Sequence, residues 1–539
     1  MHLIEICLAL ILAVALVGAA GRRIPVPLPI LLILAGVGLS FLPHLRNLEL
    51  EPEVFFMLFI PPLLFADGWL FPRREFVRLR YSILLLAFAL VFATTVVVGY
   101  VVHWLIPAIP LAAAFALGAV VSPTDAVAVS EVTGKLKLPS RMTAVLNGES
   151  LINDASGLVA FKFAVAAVVT GAFSLGEATV TFFLLAGGGT LVGLAVAYLI
   201  GRIREQLQRR GMEEPSVQIA LSLLTPFAAY LAAEQLHVSG ILAVVAAGLY
   251  AGADDPRYMT LETRLKAWDV WDLLLYLLNG LVFLILGLQL HRVLEGIAGY
   301  SSSELTAYAV AVSTTVVLVR LAWMFPGSRI ALWLARLHYP SIPAAPWRDV
   351  FIAGWAGIRG AVTLAAALSL PLMAGANPFP ERDLLVFLAT SVIVFTLVVN
   401  GLSLPFLIRW LSVRDDGLVE REERAARIAA NHAAIRELRN RMDHQEDAQD
   451  HEFTLGLIRE HERHVRKVTE WSSDGAERTA TIQVESEREI RLHSISAQRA
   501  ELRQLHAQGK INENVLLTLQ RELDFQEASL RVRELSGVE

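Results

Sequence analysis

The sequence predicts an all-α polytopic membrane protein, with thirteen transmembrane helices followed by a charged, cytoplasmic helical tail. Three observations carry that reading. The 539 residues are 55% hydrophobic with a mean hydropathy of +0.54, whereas soluble domains sit near ~45–50% apolar. Apolar runs recur at roughly 2–20, 25–42, 52–69, 82–103, 109–131, 142–169, 177–200, 216–235, 239–253, 269–290, 304–325, 349–372 and 383–411. A span of about 20 residues crosses a hydrocarbon core about 30 Å thick; the third and ninth runs are short. Basic residues are sorted, too: odd-numbered connections hold 19 Lys and Arg, even-numbered ones only Arg46, Arg292 and Arg382. By the positive-inside rule this places the N-terminus outside and the tail inside a plasma (inner) membrane. A missed or invented span would scramble the alternation.

The first run, 3–20, lacks a basic leader region and is followed by twelve more such runs, so it reads as the first span. Cys7 is the only cysteine, which excludes an intramolecular disulfide and a cysteine metal site. No phosphate-binding glycine loop, nucleotide motif or metal-ligand cluster occurs in the sequence, so no cofactor, metal, catalytic residue or nucleic-acid partner is expected. The expected domains are residues 1–413 in the membrane and 414–539 as the tail. The tail holds 20 basic and 26 acidic residues, nearly half of all charges. Within it, 421–441 and 485–508 place apolar residues at helical spacing, with breaks at 472–475 and 508–510. Its seven histidines, including His444 and His461, read as solvent-facing.

Two spans are interrupted. In the fifth, Ser122-Pro-Thr-Asp-Ala126 breaks an apolar run, and Pro123 removes a helical donor. In the twelfth, Gly354-Trp-Ala-Gly-Ile-Arg-Gly360 sets three glycines and an arginine inside one. Glycine at 354 and 357 fits close helix packing nearly as well as a break. Interrupted spans at corresponding positions of two halves point to a transporter site, and spans five and twelve correspond if helices 1–6 repeat, inverted, as 8–13. Asp125 suits the positive N-terminal ends of such half-helices, and Arg359 their carbonyl ends.

The sixth span carries Gly148-Glu-Ser-Leu-Ile-Asn-Asp154. Ser150 and Asp154 lie four apart on one helical face, as do Glu149 and Asn153. An ionisable group at membrane depth costs at least ~2.5–3.5 kcal/mol and is a functional candidate for that reason. Arg320, in the middle of the eleventh span, cannot shed its charge; Glu149 is its natural anion, which leaves Asp154 free to titrate. Lys162 reads as snorkelling to the interface, with a place in the site as the alternative; Asp67, near a helix end, reads as solvated or as facing the ion path, and Asn279 and Asn400 as hydrogen-bonding between helices.

A titratable carboxylate beside hydroxyls and a broken helix suits a hard cation. Such a carboxylate holds either a proton or a cation, which suffices for secondary antiport. The four motifs, Gly148–Asp154, Ser122–Asp125, Gly357–Gly360 and Arg320, resemble those of the monovalent cation/proton antiporter family of bacterial and animal sodium/proton exchangers, over roughly residues 1–413. The resemblance implies a homodimer in the bilayer, with a six-helix core in which helices five and twelve unwind and cross. It implies exchange of Na+, with K+ or Li+ as alternatives, for H+ in pH and cation homeostasis. Asp154 would carry cation and proton, Ser150 and Thr124 would add oxygens, and Asn153 would orient the site. Glu149 would pair with Arg320, while Asp125 and Arg359 would compensate the helix ends. Asn153-Asp154 in place of two aspartates resembles the electroneutral branch. Two departures stand out: Ala126 follows Asp125 where relatives have proline, and Ala66 stands where some carry an acid. The alternatives are a cation channel, which would need a pore, and a sensor whose output is the tail.

Overall fold

The computed structural model describes residues 2–42 (apart from 22 and 25), 51–133 (apart from 72), 136, 138–171, 175–340 (apart from 213), 342–442 (apart from 376), 448–470 and 477–508. Beyond these it describes only residues 510, 515, 516, 519, 520, 522–524, 526 and 527. Arg22, Arg46, Lys135, Lys137, His444 and the break expected at 472–475 lie outside the described residues.

Helices make up nearly all of the first unit, Met1–Asp416. They are α1 (His2–Gly21), α2 (Leu28–Leu39), α3 (Pro52–Trp69), α4 (Arg73–Leu84), α5 (Val91–Leu105), α6 (Leu111–Val121), α7 (Ala126–Thr133) and α8 (Ser140–Thr170). There follow α9 (Leu175–Arg209), α10 (Pro215–Gln235), α11 (Gly240–Tyr258), α12 (Leu261–Gly296), α13 (Ser302–Arg336), α14 (Trp347–Trp355), α15 (Ala361–Leu368), α16 (Arg382–Phe395) and α17 (Leu402–Trp410). A two-residue hairpin, Met373–Ala374 with Asn377–Pro378, precedes α16. Among the described residues eight helices are long and apolar enough to cross a membrane, and four shorter apolar ones accompany them.

Local chemistry sets several boundaries. Ser301 and Glu304 form a reciprocal capping box at the start of α13, which satisfies two otherwise orphaned amides. Prolines open α3 and α10 at positions where no helical donor is lost. Two π-helical turns were not legible in the sequence: Leu85–Leu90 joins α4 to α5, and Thr396–Gly401 joins α16 to α17. Such turns carry no strong compositional mark.

The unit packs as two bundles. One gathers α1–α3 and α9–α12; the other gathers α4–α8 and α13–α17. Within the first, α2 and α12 cross backbone to backbone: a Cβ on Gly36 or Gly287 would overlap the opposing chain. The seam between bundles is spanned by α3, α11 and α12 on one side and α8, α15 and α16 on the other.

The second unit, Gly417–Glu539, contains α18 (Leu418–Met442), α19 (Ala448–Glu470) and α20 (Glu477–Ala507). The first two pair through buried Ile435 and Ile458 and an Arg439–Glu462 ion pair of 3.1 Å. His461 is not simply solvent-facing: its Nδ1 lies 2.7 Å from Asn431 Oδ1, partly buried between them.

Candidate functional site

The interruptions in the fifth and twelfth apolar runs are breaks in the chain's helices. Between α6 and α7 residues 122–125 are unwound, and between α14 and α15 residues 357–360 are non-helical. The two stretches meet where Asp125 N–H donates to Ile358 O at 2.8 Å. Each break strands carbonyls on one side and amides on the other, and two side chains answer them. Arg359 Nε donates to Val121 O at 3.0 Å at the end of α6, and its Nη1 donates to Gly357 O. Asp125 Oδ1 accepts from Val127 and Ala128 N–H, at 2.8 and 3.0 Å, at the start of α7. Its other oxygen packs against the Gly360–Ala361 backbone so closely that a Cβ at 360 would overlap it. Gly354 packs within α14 against Leu321 and Met324, whereas Gly357 lies in the break against Arg320.

Across the first break lies α8. Glu149 is buried and accepts from Arg320 through both oxygens, from Nη1 at Oε1 and from Nη2 at Oε2, the latter at 3.0 Å. The same guanidinium donates to Gly354 O and Ala353 O, each at 3.1 Å, so it also caps the end of α14. Thr124 Oγ1 donates to Glu149 Oε1 at 3.2 Å and accepts from Asn153 Nδ2 at 2.9 Å. Asn153 thereby holds the threonine in line with the ion pair, while its own Oδ1 is buried with no partner among the described residues. Ser150 Oγ accepts from Ala126 N–H at 3.4 Å, at the first residue of α7.

Asp154 stands apart from this network. It is buried, yet its carboxylate has no hydrogen-bond donor among the described residues. It faces a cavity of about 260 Å³ at the seam, with Thr124, Asp125 and Ser150 on the same wall. The opposite wall, from α2, α3 and α12, presents Asp67, Tyr276 and Asn279 among apolar neighbours.

The structure thus gathers Thr124, Asp125, Ser150 and Asp154 at one cavity, with Asn153, Glu149, Arg320 and Arg359 in the hydrogen-bonded layer behind it. Two further residues join this cavity. Asp67, for which the sequence left both solvation and the ion path open, lines the cavity. Asn279 does not bond a neighbouring helix but faces the same space, whereas Asn400 Nδ2 does donate to Trp355 O at 2.9 Å. A signal for Asn279 existed: an amide in an apolar run with a glycine beside it. Lys162 lies outside the site, paired with Glu234 at 2.6 Å and set over the rings of Phe56 and Tyr230.

Comparison with known proteins identifies the family and the fold. Residues 9–410 match the family described as sodium/hydrogen exchanger, transmembrane. A Bacillus pumilus (strain SAFR-032) protein named sodium, potassium, lithium and rubidium/H(+) antiporter is 39% identical over 96% of this chain and 77% of its own. The uncharacterized Na(+)/H(+) exchanger YjcE of Escherichia coli (strain K12) is 40% identical over 97% of this chain and 98% of its own. Among solved structures, the sodium proton antiporter MjNhaP1 of Methanocaldococcus jannaschii at pH 8 aligns with a TM-score of 0.57 and 19% identity. That match covers 76% of this chain and 99% of the other.

Proposed function

The chain belongs to the sodium/hydrogen exchanger family, and from that premise we propose that it exchanges a monovalent cation for a proton by alternating access of Asp154. The observation that carries the proposal is a contrast between neighbours. Glu149 is neutralised by Arg320 and Asp125 is engaged by helix amides, whereas the Asp154 carboxylate is buried with only the cavity before it. A carboxylate so placed binds a proton or a cation and is costly to leave bare.

In this reading Ser150 and Thr124 supply neutral oxygens suited to a hard cation, and Asn153 fixes Thr124. Arg359 and the Glu149–Arg320 pair hold the frame around them. Sodium is the leading substrate, with potassium and lithium as alternatives, in line with the ions named for the Bacillus pumilus relative. One carrier carboxylate, next to Asn153 in place of a second acid, supports one proton per cation and electroneutral exchange. The architecture that goes with it is thirteen spans in a plasma membrane, with spans 1–6 repeated inverted as 8–13. Residues 1–413 form the exchanger, residues 414–539 a cytoplasmic helical region, and two copies a homodimer.

The test is competition. Each proton on Asp154 excludes a cation, so the half-saturating cation concentration rises as pH falls, while saturating cation restores the rate. A half-saturation that stays constant across pH contradicts a shared carboxylate.

A further inference from the structure

The cavity before Asp154 is built from both bundles. Thr124, Ser150 and Asp154 belong to the bundle that contains the broken helices, and Asn279 to the other, on α12. Asn279 follows Leu277 and Leu278 in an apolar stretch, and its carboxamide has no hydrogen-bond partner among the described residues. The side chain is half-buried on the cavity wall, so its carboxamide is free to meet whatever occupies the cavity before Asp154.

The cavity also has a direction. A larger one, about 1150 Å³, shares Leu28 and Tyr276 with it and is lined by Arg23, Val132 and Gly401. It lies toward the end of the bundle where α8 begins, since Val132 is in the last turn of α7, the helix that leads into α8. Toward the other end of α8, Leu158, Val159 and Phe161 are buried. Farther along, Lys162 and Glu234 join α8 to α10 across the seam. The space before Asp154 therefore widens toward the Arg23 end.

Alternating access moves one bundle against the other around the bound ion. Oxygens on the α8 side travel with the cation, and a group on α12 does not. Resting on the exchange reading above, we infer that Asn279 is a one-sided cation ligand. Its carboxamide oxygen helps hold the ion at Asp154 while the cavity faces the Arg23 end, and is left behind when the bundles shift. The two facing states then differ in cation affinity, and that difference biases the loaded carrier toward the state seen here.

The test measures cation KM from each side, with Na+ and with K+, in vesicles of defined orientation. In Asn279→Leu, the KM on the Arg23 side rises relative to that on the other side by about tenfold, the scale of one lost polar contact. Asn279→Asp moves the same ratio the opposite way. An unchanged ratio in both variants, or KM values that move together on the two sides, overturns the inference. If Asn279→Leu does not fold, Asn279→Ala stands in, because it lacks the oxygen and leaves no bulk. Wild-type protein silent to both cations would instead overturn the exchange reading, and the inference with it.

Discussion

Glu149 and Asp154 sit five residues apart on α8, both buried, and the two sides of the helix treat them in opposite ways. On the Arg320 side, one carboxylate receives two guanidinium hydrogen bonds and a threonine hydroxyl, and the guanidinium in turn caps a half-helix. On the seam side, the other carboxylate meets a cavity and no protein donor among the described residues. The difference teaches what a buried charge is for. Where its partner is part of the chain, it fixes structure; where its partner has to arrive, it can bind and release.

The sharpest way to break that comparison is to remove the fixed charge. Glu149→Gln leaves Arg320 buried without its anion, a loss on the order of 3–5 kcal/mol for a buried pair that keeps one member. Thermal unfolding in detergent should drop accordingly, and more than cation affinity does. A variant as stable as wild type would mean that Arg320 is neutralised elsewhere.

The smallest effect is expected at the far end of α8. Lys162 lies two turns beyond Asp154, about 12 Å along the helix, and pairs with Glu234 where both side chains are about 40% exposed (43% and 40%). An exposed pair contributes about 0–1 kcal/mol. Lys162→Gln should therefore shift the unfolding midpoint by no more than a degree or two. A loss as large as that of Glu149→Gln would show that exposure is not what separates the two ion pairs.

Much of this was legible because membrane depth makes polar residues conspicuous. Pro123 and the glycines at 357 and 360 marked the breaks, since an interrupted apolar run leaves backbone groups that need partners, whereas Gly354 served close packing inside α14. Arg320 required an acid because it cannot be discharged, and Glu149 was the acid at hand. What the sequence did not disclose was which faces meet at the seam. Asp67 and Asn279 lie on α3 and α12, whose apolar runs set them at membrane depth but do not say what they face. Only packing of the two bundles turns them toward Asp154. The π-helical turns escaped for a similar reason. Ser156 Oγ donates to Ala87 O in one of them, and Arg359 N–H donates to Thr396 Oγ1 at 3.2 Å in the other. Both are tertiary contacts that no local periodicity announces.

The central claim is that Asp154 carries the exchange, and proton flux in proteoliposomes tests it directly. Wild type and Asp154→Asn are reconstituted with a pH-sensitive dye, and Na+ or K+ is added outside. The account predicts cation-triggered proton movement in wild type and none in Asp154→Asn, with the variant folded and as thermally stable as its parent. Flux that survives in Asp154→Asn would contradict it and move the carrier to another acid of the same cavity, Asp67 or Asp125.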